Sequence, residues 1–113
     1  MTIKELSDFG ANVQEGLQRC VNNEGFYLRL VKKVSGDANF QKLFDAMDAG
    51  DLDSAFEAAH ALKGALGNLS LTPLFNPVSE LTEILRPRTP TDCTALVQAI
   101  REGQAELERI CSK

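Results

Sequence analysis

Apolar residues recur along this chain at three- and four-residue steps, and the alternation of Val, Ile, Thr and aromatic residues that marks strands is missing. The pattern predicts helix almost throughout. A first short helix over about residues 2–9 ends at Gly10, a left-handed terminus. Asn12 and Glu15 stand at capping-box spacing and open a second helix to about Cys20. Asn22 and Asn23 start a third, bearing Phe26, Tyr27, Leu28, Leu30 and Val31 and stopping near Ser35 and Gly36. Asp37 caps a fourth helix through Phe40, Leu43, Phe44 and Met47, closed by Gly50. Asp51 caps a fifth, which runs to about Leu69.

Thr72 and Pro73 suit a helix start, because proline at the first helical position lacks only an N–H that would be unpaired anyway. Pro77 removes a backbone bond one turn later, which predicts either a kink or a later start at Asn76 and Pro77. Residues 86–90, Arg-Pro-Arg-Thr-Pro, form the Pro-rich connector. Beyond it Thr89 or Thr91 caps a last long helix with Leu96, Val97, Ile100, Leu107 and Ile110 on its apolar face. Short connectors between amphipathic helices imply antiparallel neighbours. The expected architecture is all-α: an antiparallel four-helix bundle, up-down-up-down, with an additional short N-terminal helix packed on it. The 113 residues then make one domain, with a helical extension over 1–22 and the bundle over 23–111.

Composition narrows the partners. A formal charge of −4 argues against nucleic acid, whose backbone is gripped by concentrated Lys and Arg. The basic clusters are small, Lys32 with Lys33 and Arg86 with Arg88, and read as solvated positions. No apolar run approaches a membrane span, and the acidic opening turns lack the core of an export signal. A cytoplasmic, monomeric chain is expected, and the initiating Met favours a free-standing one. Cys20, Cys93 and Cys111 are far apart without a Cys-x-x-Cys pair, which fits reduced, packed thiols. No cofactor or metal is called for.

On a wheel of about 100° per residue, Leu52, Ala55, Phe56, Ala59, Leu62, Leu66 and Leu69 form the apolar stripe of the fifth helix. His60, Gly64 and Gly67 fall on a second line, roughly 120° from the core axis, with Lys63 between the two. A histidine packed in the core would project with the leucines. Glycine in mid-helix costs about 1 kcal/mol relative to alanine. A helix needing only to pack would use Ala, as this one does at Ala55, Ala58, Ala59, Ala61 and Ala65. Gly64, one turn past His60, leaves a notch where another protein's backbone approaches. Lys63 brings a cation to whatever the imidazole carries, or else pairs with Glu57.

Residues 60–69, His-Ala-Leu-Lys-Gly-Ala-Leu-Gly-Asn-Leu, resemble the signature of histidine-containing phosphotransfer (HPt) domains, in which Lys-Gly follows the histidine at the third and fourth positions. The approach through Ala49, Gly50, Asp51 and Leu52 to Ala58 and Ala59 is similar too. The resemblance implies that His60 is a phosphoacceptor, that Gly64 gives a receiver domain access and that Lys63 supports the phosphoryl charge. It implies as partners response-regulator receiver domains or a hybrid sensor histidine kinase. The chain would be a phosphorelay carrier in two-component signalling, with no nucleotide site and no autokinase activity. Glu57, Ala61 and Gly67 are expected to flank the docking surface. Phe40, Phe44 and Met47 are expected in the core before any docking role. Ser70, where many relatives have another Gly, and Pro77 depart from the family pattern.

Two other readings carry weight. Glu57 and His60 have the Glu-x-x-His spacing of di-iron bundles, but that site needs a second such pair and His60 is the sole histidine. A bundle that docks on receivers without being phosphorylated would use the same face and the same residues.

Overall fold

The computed structural model describes residues 1–112, in which there are seven α-helices and no strand. They are α1 (Ile3–Phe9), α2 (Val13–Arg19), α3 (Glu24–Ser35), α4 (Ala38–Ala49), α5 (Leu52–Asn68), α6 (Thr72–Leu85) and α7 (Thr94–Cys111). Local chemistry sets most of their ends. Gly10 and Gly50 terminate α1 and α4 in the left-handed conformation, with φ of 111° and 70°. Asn23, Asp37 and Asp51 accept backbone N–H bonds from Phe26, Asn39 and Ser54, satisfying donors that a helix start leaves unpaired.

Two capping assignments differ from the sequence reading, and a third end falls on one of its two alternatives. The full reciprocal capping box belongs to Thr2 and Glu5 of α1. Asn12 accepts from the Glu15 N–H, but the Glu15 carboxylate takes the Asn12 side-chain amide instead of closing the box. Of the two starts proposed for α6, the helix takes Thr72 and runs through Pro77. At α7 neither Thr89 nor Thr91 caps: the helix starts at Thr94, and Asp92 Oδ1 accepts both its N–H and its hydroxyl. These two hydrogen bonds from Thr94 hold the Asp92 carboxyl below its ordinary range.

Helix α5 is the spine, packed against α4 on one side and α6 on the other, while α7 lies on α6 and on α3. Helices α3 and α4, joined by a short connector, thus close the circuit of a helical bundle. Fully buried Phe40, Leu43, Leu62, Leu66, Leu74, Leu81, Ile100 and Leu107 fill its interior. Leu6 of α1, with Ala11 and Cys20 on either side of α2, continues that buried cluster into the N-terminal extension. Cys20, Cys93 and Cys111 are all buried free thiols.

One contact locks the extension to the spine. Gly16 of α2 lies so close to the Tyr27 ring that a Cβ there would stand 2.6 Å from it. The Tyr27 hydroxyl donates to the Leu69 carbonyl at 2.9 Å, just past the end of α5. Burial, with a smaller effect of Cys20, pushes this phenol up to about 12, so it remains a donor. No helix is long and apolar enough to cross a membrane among the described residues.

Candidate functional site

His60 is exposed at the middle of α5, while Ala59 and Leu62 beside it are fully buried. The helical period accounts for this: 3.6 residues per turn carry Ala55, Ala59, Leu62 and Leu66 onto the core side and leave position 60 outside. One turn on, a Cβ built on Gly64 meets no atom within 4 Å apart from its own helix backbone. The space beside the imidazole is therefore open, and the glycine has no packing reason to be there.

Lys63 is half-buried and reaches α6 rather than Glu57. Its Nζ lies 3.5 Å from Glu83 Oε1. Glu83 also takes a forked pair from Arg86, Nε to Oε2 at 3.0 Å and Nη2 to Oε1 at 3.1 Å. Bonding to Arg86, seconded by Lys63, holds the Glu83 carboxyl below its ordinary range and keeps it ionised. The cation expected beside His60 thus stands in a three-membered charge network.

Phe56, placed by periodicity in the apolar stripe, is only partly buried and turns its ring to the histidine. The two rings meet edge to face, 5.7 Å between centroids and inclined at 65°. Above the phenyl ring lie two guanidinium groups, Arg88 at 4.1 Å and Arg86 at 5.2 Å from its centroid. Arg88 Nε donates to Asp53 Oδ1 at 2.8 Å, tying the connector back to the first turn of α5.

On its other flank His60 opens on a cleft of about 570 Å³. Lys63, Gly64, Asn68 and Phe75 line it from α5 and α6, and Glu15 and Arg19 of α2 close it. Arg19 is paired with Glu15 at 3.2 Å. Ser70, also in the lining, has a left-handed φ of 55°, and its buried Oγ has no hydrogen-bond partner among the described residues. A glycine at this turn would avoid both features.

The remaining expected residues separate. Gly67 lines the cleft, but a Cβ there would stand 3.1 Å from Phe75 Cε2, so this glycine admits an aromatic ring from α6. Glu57 is exposed in a separate depression between α4 and α5, with Lys42 and Asp45. Ala61 is exposed and lines neither hollow. Phe40 and Phe44 are core residues, and Met47, partly buried, packs against the core. Among the described residues no three His, Cys, Asp or Glu side chains gather where they could hold a metal ion. Sequence reasoning overlooked Glu83, Phe56, Arg88 and the α2 wall. Only Phe56 carried a local signal, being one turn before His60.

Comparison with protein-family models matches residues 31–111 to the family described as Hpt domain. No curated protein and no solved structure matches. Helices α1 and α2, with the cleft wall that α2 builds, fall outside the matched region.

Proposed function

This chain belongs to the Hpt domain family, whose members carry phosphoryl groups in two-component signalling, and from that premise we propose that His60 is its phosphoacceptor. The observation that carries the reading is the exposed imidazole with empty space at Gly64 one turn away. A receiver domain brings its aspartyl phosphate to this face. The lone pair of one imidazole nitrogen attacks phosphorus in line, the bond to the aspartate oxygen breaks, and the carboxylate departs with its electron pair. The other ring nitrogen keeps its proton, so the product is a phosphoimidazolium facing Lys63. The reverse step, on a second receiver, discharges the carrier. We place this exchange in the cytosol, with the whole chain acting as one monomeric unit.

The chain's own part is positioning and charge compensation; the receiver brings the energy-rich bond and the rest of the transition-state machinery. The test is incubation with a phosphorylated receiver. Wild type should acquire an acid-labile, alkali-stable label, and His60→Gln none. Docking of both proteins with label in neither would replace the carrier by an unphosphorylated adaptor, and label on His60→Gln would move the acceptor elsewhere.

A further inference from the structure

A solvent-exposed imidazole on a helix ordinarily samples several rotamers. Transfer in line demands that a ring nitrogen face phosphorus, and freedom in that torsion dilutes the productive pose. Phe56 restricts it. Its ring abuts the imidazole edge to face at 5.7 Å, from the turn N-terminal to His60, the direction in which helical side chains lean.

What fixes Phe56 comes from beyond α6. Arg88 sits in the connector with φ of 57°, a backbone conformation that a non-glycine residue holds only when its surroundings demand it. Its guanidinium is fastened at two points, Nε to Asp53 Oδ1 and Nη1 to the Arg86 carbonyl, each at 2.8 Å. Held so, it covers the phenyl ring at 4.1 Å. The pair with Asp53 alone would tether the connector; the placement over Phe56 does something else, confining a half-exposed ring between a fixed cation and the imidazole.

We infer that Arg88 is a positioning residue for phosphoryl transfer, acting on His60 through Phe56. The inference rests on His60 being the phosphoacceptor. It gives the Arg86–Pro90 connector a role in the reaction, although no part of it touches the reacting atoms.

Single-turnover transfer from a phosphorylated receiver in varied excess separates maximal rate from half-saturation. Arg88→Ala should lower the maximal rate about ten-fold and leave half-saturation unchanged. Arg88→Lys, which keeps charge but loses the planar fork, should behave likewise. Phe56→Leu should match Arg88→Ala, and combining the two should cost nothing further. A change in half-saturation alone would make Arg88 a receiver contact, and additive losses would sever it from Phe56; either overturns the inference. A second readout needs no phosphoryl donor. His60 is the sole histidine, so its ring protons are unambiguous by NMR and carry the Phe56 ring current. Arg88→Ala should shift them toward their positions in Phe56→Leu. Unmoved resonances overturn the positioning role itself, whereas label on His60→Gln overturns the choice of acceptor on which that role rests.

Discussion

Gly64 and Gly67 stand three residues apart on α5 and line the same cleft, yet the space beside each differs. At Gly64 an added methyl group would enter emptiness; at Gly67 it would press on Phe75 at 3.1 Å. The first glycine keeps a surface bare, and the second lets α6 come close. Both weaken the helix by about the same intrinsic amount, near 1 kcal/mol each. Only at Gly67 does packing return something for that loss. A glycine that gains nothing from its own fold points to a requirement imposed from outside.

Substitutions can break or sharpen this contrast. Gly64→Leu should fold normally and lose transfer by about 100-fold, since holding the receiver off by an ångström is enough to spoil the approach. Normal transfer rates in that protein would remove the case for a landing site. Gly67→Leu should do the reverse, destabilising by about 2 kcal/mol through overpacking against Phe75, with transfer per folded molecule retained. Thermal unfolding together with transfer assays below the melting point would separate the two. Gly64→Ala should raise stability by up to about 1 kcal/mol while slowing transfer, opposite signs in one variant. The smallest effect is expected at the turn after α5. Ser70→Gly should stabilise by somewhat under about 1 kcal/mol in chemical denaturation, relieving the left-handed backbone and removing a buried, unpartnered hydroxyl. A loss of stability there would show that Ser70 is better accommodated than its geometry suggests.

Features that depend on neighbours in sequence were readable in advance. The ends at Gly10, Gly50, Asp37 and Asp51 follow from residues adjoining the helix they terminate, and the exposure of His60 follows from the helical period alone. Where α7 begins was missed because Asp92 reaches Thr94 across an intervening residue, a pattern that competes with the threonines upstream. Phe56 illustrates a subtler failure. At one turn before His60 it lies only about 40° from that residue on the wheel, so it borders both the apolar stripe and the reactive line. Hydrophobicity assigned it to the first; a pair of arginines drew its ring toward the second. Glu83 and Arg88 were beyond reach, since they lie 20 and 35 residues from the Lys63 and Asp53 they contact. Those pairings exist only after α6 has packed on α5. The same holds for Glu15 and Arg19, which reach the cleft because Gly16 lets α2 settle onto Tyr27.

If His60 is the phosphoacceptor proposed above, the Lys63–Glu83 pair bears on how firmly the phosphoryl group would be kept. An ammonium with no prior engagement would deepen the well into which the dianion falls. Here the attraction is offset by a carboxylate 3.5 Å from that ammonium, which repels the newcomer. Exposed pairs of this kind are screened by solvent, so the offset is slight. On that reading a shallow resting point would keep loading and unloading near balance and let the supply of phosphorylated receivers on either side set the direction of flow.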